Sequence, residues 1–241
     1  MISTDKTMNK RKLSITSNGH FKKPNQNTQT IINKCATTSL ETIFLNESKS
    51  SWMKLLKLTE PDGLTLGEFE ELWHLKPAEK LKIKIAGKLI ECPRYSKSYL
   101  QPYKFSGLNH EADLNMPKRI ECLLTEFSKK LNPDLNQSLV NWYESNGSIG
   151  KHSDDTRQLK PNSDIFSFSF GPAKRTFILE PKKNDSESKE PKYNIQLEHN
   201  TLIIMGGECQ MTHCHSVPKK NGFITNNLNE RRLNVTFRCF K

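Results

Sequence analysis

The chain has 241 residues, with 37 Lys and Arg against 26 Asp and Glu, for a formal net charge of +11. That length suffices for one sizeable core, and the basic excess points toward a polyanionic partner. No apolar run reaches the roughly 20 residues of a spanning helix, and the N-terminus lacks the apolar stretch of a secretory signal, so an intracellular protein without a membrane partner is expected.

Residues 1–40 are rich in Ser, Thr, Asn and Lys and poor in apolar residues, which predicts a disordered basic and polar tail. Within it, Lys10-Arg11-Lys12 has the composition of a short nuclear signal, placing the protein in the nucleus of a cell that has one and otherwise in the cytoplasm. Residues 41–83 are expected to form a helical extension: Thr65-Leu-Gly-Glu68 spells a capping box opening a helix that carries Phe69, Leu72 and Trp73 and ends before Pro77. Lysines are dense from Lys76 to Lys97. A second helix starts at Pro117 and presents Ile120, Leu123, Leu124, Phe127 and Leu131 as an apolar stripe to the body of the protein.

Strands follow. Ser138 to Tyr143 is rich in strand formers, and alternation puts Asn141 and Tyr143 on one face. In His152-Ser153-Asp154 an extended backbone turns His152 and Asp154 toward the same side. Two histidines and a carboxylate on one face are the ligand set of a facial Fe(II) site. The third ligand must come from a distant strand; His215 in Thr-His-Cys-His-Ser-Val-Pro is the candidate and His213 its rival. Residues 182–192 read as an exposed hairpin connection and 221–230 as a mobile loop over the site.

Arg232 to Arg238 alternates strictly: Leu233, Val235 and Phe237 form an apolar face, and Arg232, Asn234, Thr236 and Arg238 share the other. Turned inward, that polar face calls for an anion. Its two guanidinium groups, leaning toward each other, would clasp a small dicarboxylate such as 2-oxoglutarate, with Asn141 and Tyr143 as hydrogen-bonding companions. The six cysteines include no Cys-x-x-Cys pair, which excludes a zinc ribbon and a disulfide framework. Alternation turns Cys214 away from its two histidine neighbours, as a buried thiol.

Asn141-Trp-Tyr143, His152-Ser-Asp154-Asp155, Phe168-Ser-Phe170-Gly171, Arg175-Thr-Phe177, His215-Ser-Val-Pro218 and Arg232-Leu-Asn-Val-Thr-Phe-Arg238, in this order and spacing, resemble the AlkB family of Fe(II)/2-oxoglutarate dioxygenases. Gly87-Lys88 and Tyr103-Lys-Phe-Ser-Gly107 resemble its DNA-repair homologues of the two and three type. The resemblance implies a mainly β, α+β fold: a double-stranded β-helix, or jelly-roll, over residues 84–241 behind the helical extension. It implies Fe(II) on His152, Asp154 and His215, and 2-oxoglutarate on Asn141, Tyr143, Arg232, Asn234, Thr236 and Arg238. Tyr103, Phe105, Ser106, Gly107 and Asp155 fall at substrate positions.

The implied activity is oxidative removal of N-alkyl lesions such as 1-methyladenine and 3-methylcytosine from single- or double-stranded DNA, and from RNA as a further candidate, by a monomer, releasing formaldehyde, succinate and carbon dioxide. The family's duplex-repair member carries an aromatic wedge where this chain has Ala86, which favours single strands over duplex intercalation. A catalytically silent nucleic-acid binding module, or an oxygenase acting on RNA or a protein side chain, are the alternatives.

Overall fold

The computed structural model describes residues 31–34, 36–37, 40–85, 87–105, 108–182, 190–220 and 227–241. The expectations for residues 1–30, for Ala86, Ser106 and Gly107, for the side chain of Phe105, and for 183–189 and 221–226 in the two loops lie outside them. In chain order the first elements are β1 Ile31–Lys34, β2 Thr42–Phe44, β3 Ser51–Lys57 and α1 Leu66–His74. Next come β4 Lys82–Ile85, β5 Lys88–Glu91, β6 Tyr95–Tyr99, β7 Tyr103–Phe105, β8 Leu108–His110, β9 Ala112–Asp113 and α2 Lys118–Lys130. The rest are β10 Gln137–Tyr143, β11 Ile149–His152, β12 Ile165–Phe170, β13 Arg175–Pro181, β14 Lys192–Leu197, β15 Thr201–Gly207, α3 Cys209–Thr212, β16 His213–Val217 and β17 Arg232–Arg238.

Two sheets carry the fold: an eight-stranded sheet ordered β2-β3-β15-β12-β17-β10-β6-β9 and a five-stranded sheet ordered β1-β14-β13-β16-β11. One apolar cluster includes Leu139, Ile165, Ile203 and Met205 of the larger sheet together with Phe177, Leu179, Ile195 and Val217 of the smaller. A second cluster joins the opposite face of the larger sheet to the helices: Val140, Trp142, Phe168, Leu233, Val235 and Phe237 pack with Leu72, Ile120, Leu123 and Phe127. The larger sheet is therefore covered on both faces, and all seven residues of β17 and of β10 are buried. Burying Leu233, Val235 and Phe237 contributes roughly 1.5–3 kcal/mol each.

The helices form as their sequences direct. Thr65 caps α1, its Oγ1 accepting from the Glu68 amide at 3.2 Å while Glu68 Oε2 accepts from the Thr65 amide at 2.8 Å. Pro117 opens α2, which buries Ile120, Leu123, Leu124 and Phe127. Leu131 departs from the expected stripe: it follows the last helical residue and is exposed.

Two segment assignments change. Residues 41–83, expected as a helical extension, supply one helix, two whole strands and the start of β4, and β3 pairs with β15 from Thr201↔Lys57 to Gly207↔Ser51 inside the larger sheet. Ile31–Lys34, assigned by composition to the disordered tail, pairs in parallel with β14. Main-chain hydrogen bonding to an edge strand is indifferent to side-chain polarity, which is why composition misjudged it. Among the described residues, no helix is long and apolar enough to cross a membrane.

Candidate active site

A chamber opens between the sheets, lined from the larger one by Leu139, Asn141, Tyr143, Ser167, Met205, Arg232, Asn234, Thr236 and Arg238, and from the smaller by Ile149, His152, Phe177, His215 and Val217. Pleating produces this lining: alternate residues of β17 face the helices, and the polar set between them faces inward.

His152, Asp154 and His215 come together, each offering one ligand atom, with those atoms all within 4.8 Å of one another. β11 and β16 are antiparallel neighbours with His152 opposite His215, so main-chain pairing brings the two imidazoles together at a centroid distance of 4.3 Å. β11 ends at His152, and Asp154 lies beyond it rather than on the continuous strand expected from the spacing. A different contact fixes it: the Asp154 amide donates to Gln210 Oε1 at 2.8 Å, from the short helix α3.

Each ligand is oriented. His152 Nδ1 lies 2.8 Å from the Gly150 carbonyl, which can only accept, so Nδ1 carries the hydrogen and Nε2 is left toward the cluster. Asp154 Oδ2 accepts from Arg238 Nε at 2.8 Å, while Oδ1 lies 3.8 Å from His152 Nε2. Phe177 stacks on His215 at 5.4 Å. Burial raises the Asp154 pKa, but Arg238, His215 and His152 outweigh it and hold the carboxyl at about 2. Burial, helped by the charges of His152 and Arg238, pushes His215 down to about 3. An ionised carboxylate and neutral imidazoles are the protonation states a divalent metal requires.

His213, the rival ligand, lies outside the cluster. It is buried, with Nδ1 2.8 Å from Thr212 Oγ1 and Nε2 3.9 Å from Glu190 Oε2. Cys214 is turned to the other face of β16 and is half-buried, more open than the buried thiol expected there. The described cysteines, Cys92, Cys122, Cys209, Cys214 and Cys239, are all free.

The two arginines on the polar face of β17 both line the chamber and have different partners. Arg238 is taken by Asp154 and by Gln137 Oε1 at 3.2 Å, with its guanidinium 4.8 Å from the Tyr103 ring centroid. Arg232, six residues away, donates through Nε to Ser169 Oγ at 2.7 Å and lies 4.9 Å over the Tyr143 ring. Its buried Nη1 has no hydrogen-bond partner. Burial and the nearby charge of Arg175 pull its pKa down to about 10, with Tyr143 opposing them. A buried, cationic, partly unpartnered guanidinium fits the carboxylate of a 2-oxo dicarboxylic acid, and the cluster of hard and borderline donors fits Fe(II).

Between the arginines, Asn234 Nδ2 donates to Ser167 Oγ at 3.0 Å and to the Phe168 carbonyl at 2.8 Å, while its Oδ1 accepts from Asn141 at 3.3 Å and Thr236 at 3.2 Å. Asn141 Oδ1 in turn accepts from Ser96 Oγ at 2.6 Å and Arg94 Nε at 3.2 Å.

Tyr103 is buried beside Arg238 and stacks on Phe240 at 6.3 Å; burial pushes its hydroxyl up to about 12. Asp155 is held by Arg157, whose Nε reaches both carboxylate oxygens at 2.9 and 3.0 Å. A second cavity of about 370 Å³ adjoins the chamber and shares Arg94, Tyr103, Leu139 and Asn141 with it. Sequence reasoning missed Arg94, Gln137, Ser169, Arg175 and Gln210. Pro93-Arg94 carries no periodic or motif signal, and the others act through contacts across 28 to 101 residues of chain.

A family model described as the 2OG-Fe(II) oxygenase superfamily matches residues 88–238, which include the metal cluster and all of β17. The chain is 33% identical over 152 residues to alpha-ketoglutarate-dependent dioxygenase alkB homolog 3 of Rattus norvegicus, covering 61% of this chain and 50% of that protein. It is 33% identical over 166 residues to DNA oxidative demethylase ALKBH2 of Mus musculus, covering 65% and 66%. Against the Homo sapiens ALKBH2 the identity is 31% over 166 residues, covering 65% and 60%. The chain thus spans between half and two thirds of the length of these relatives.

Proposed function

Because the chain belongs to the 2OG-Fe(II) oxygenase superfamily, as a member of the AlkB type, we propose that it is a dioxygenase removing N-alkyl groups from nucleic-acid bases, with DNA as its main substrate. The observation that carries this reading is the His152, Asp154 and His215 cluster in the same chamber as the unpartnered Nη1 of Arg232.

Fe(II) with 2-oxoglutarate and dioxygen supplies oxidation of an N-methyl carbon, after which the hydroxymethylated nitrogen sheds formaldehyde. His152, Asp154 and His215 would hold the metal. Arg232 and Tyr143 would hold a carboxylate of the cosubstrate, with Asn141, Asn234, Thr236 and Arg238 as its further polar partners. Arg238 also keeps Asp154 ionised and turned, with Oδ1 on the side of His152. The apolar walls from Ile149, Phe177, Met205 and Val217 exclude water from the reaction.

Two observations support a nucleic-acid substrate. The formal charge of +11 favours phosphate backbones through counterion release. The adjoining cavity, about 370 Å³, is large enough for a flipped nucleotide base and is walled by Tyr103, Arg94 and the hairpin residues Asn109 and His110. Tyr103 and Asp155 are the described substrate candidates, with Phe105, Ser106 and Gly107 beside them in sequence. Ala86 offers no aromatic wedge, so single strands are preferred to duplex.

The test is incubation with Fe(II), 2-oxoglutarate and oligonucleotides bearing 1-methyladenine or 3-methylcytosine as single-stranded DNA, duplex DNA or RNA. Formaldehyde release with restoration of the base is expected, fastest on single-stranded DNA. Tight oligonucleotide binding without cosubstrate decarboxylation on any of the three would identify a silent binding module instead.

A further inference from the structure

Arg175 and Arg232 share an unusual condition. They are 3% and 2% exposed, and each leaves a buried Nη1 without a hydrogen-bond partner. Neither forms an ion pair among the described residues. The acidic group that influences Arg175, Glu230, is itself paired with Lys220 at 2.6 Å. Taking a cation out of water costs several kcal/mol, and two like charges near one another add to that cost.

Arg232 and Tyr143 line one corner of the chamber, and Arg175 lies behind it, close enough to Arg232 for its charge to act there. Tyr143 stands opposite Arg232 in the β10–β17 ladder, and the Arg232 guanidinium lies 4.9 Å over its ring. Gly147 packs against the same residue so closely that a Cβ there would lie 3.0 Å from Tyr143 Cα and Cβ. The Gly147 carbonyl accepts from Arg175 Nη2 at 2.7 Å. The same Nη2 donates at 2.7 Å to the carbonyl of Pro218, next to Val217 in the chamber wall. Both of these bracing bonds come from Nη2, and a neutral donor would serve them as well. The full positive charge, with Nη1 unpartnered, has no structural use.

We propose that Arg175 is a second cation of the cosubstrate site, adding positive charge to the corner where Arg232 meets the distal carboxylate, and so selecting a 2-oxo acid that carries a second carboxylate. This rests on the dioxygenase reading. A single guanidinium would grip a carboxylate; a pair of buried positive charges also penalises an acid without one, because the corner then stays uncompensated.

The experiment is direct binding to the full chain, with Mn(II) in place of Fe(II), followed by calorimetry for 2-oxoglutarate and for 2-oxopentanoate, which has the same carbon count and no distal carboxylate. Arg175→Gln should weaken 2-oxoglutarate by roughly tenfold to a hundredfold, the scale of a charge-assisted contact, and leave 2-oxopentanoate bound as tightly as before or more tightly. Arg175→Lys, which keeps the charge, should retain most of the preference. Equal weakening of both acids, or an unchanged ratio accompanied only by a lower melting temperature, would assign Arg175 to bracing and overturn the proposal. If the glutamine variant does not fold, the lysine variant decides alone: a preference lost despite the retained charge overturns it. Failure of the unmutated chain to bind 2-oxoglutarate at all would instead sink the dioxygenase reading beneath it.

Discussion

Arg238 Nε donates to Asp154 Oδ2 at 2.8 Å, and both side chains are 4% exposed. This ion pair ties β17, whose polar face lines the chamber, to the carboxylate of the His152, Asp154 and His215 cluster. Removing the arginine leaves a buried carboxylate without its cation, which costs about 3–5 kcal/mol in comparable pairs. Arg238→Met should lower the melting temperature and also change how metal binding responds to acid. Asp154 now titrates at about 2, a value depressed mainly by Arg238 working against burial. Without Arg238 the carboxyl takes up its proton at higher pH, so Mn(II) is released earlier as pH falls. An unaltered pH profile of Mn(II) affinity in the variant would contradict this.

Gln210 acts at one remove from the metal. Its Oε1 accepts the Asp154 amide at 2.8 Å, and its Nε2 lies 3.6 Å from Met205 Sδ in the chamber wall. Gln210→Ala frees the segment just beyond β11 while leaving all three ligands in place. Metal affinity should drop by roughly tenfold to a hundredfold, as for other groups that orient ligands from behind. Calorimetric titration with Mn(II) measures it; affinity equal to that of the parent would mean that the ligand loop is held by other contacts.

What could be read from the sequence follows from the range of the physics. The alternation of Arg232 to Arg238 is a period-two property, visible in seven residues, and β17 realises it with the apolar side against the helices and the polar side in the chamber. The Thr65 capping box is legible because its partners are three residues apart. Local pattern made His215 the candidate third ligand and left His213 as a rival; the family resemblance favoured His215, and the pairing of β11 with β16 brings it to His152. The separate jobs of Arg232 and Arg238 were hidden, since Ser169 and Gln137, which hold them, lie on neighbouring strands. Strand β3 escaped because Ser51-Trp-Met-Lys-Leu-Leu-Lys57 shows no clean alternation of polar and apolar residues, although its burial alternates in the sheet.

His213 makes stability depend on pH. Burial, with a smaller contribution from Lys182, pushes its pKa down to about 4 from the usual 6.5. The unfolded chain takes up this proton near 6.5 and the folded chain only near 4, so stability is full above 6.5 and declines as pH falls through that window. Between pH 7.5 and pH 5 the loss assignable to His213 is about 2 kcal/mol. Chemical denaturation at the two pH values should show a smaller difference for His213→Gln than for the parent, whatever the absolute stability of the variant. An equal difference in both would place the acid sensitivity elsewhere, in His152 and His215.

Gly206 tests how far packing remote from the metal governs the site. It stands opposite Trp52 in the β15–β3 ladder, and a Cβ built on it would lie 2.0 to 2.4 Å from three atoms of the Trp52 indole. No real contact is that short, so Gly206→Ala must displace either the ring or strand β15, and overpacking of this kind costs roughly 1–3 kcal/mol. The displacement has a short route to function, because β15 carries Met205 into the chamber and leads within a few residues to Gln210. Gly206→Ala should therefore reduce both the melting temperature and the Mn(II) affinity, and Trp52→Leu in the same chain should restore both by vacating the ring's place. Recovery of stability without recovery of metal affinity would show that the strand, once moved, does not return Asp154 to its ligand position.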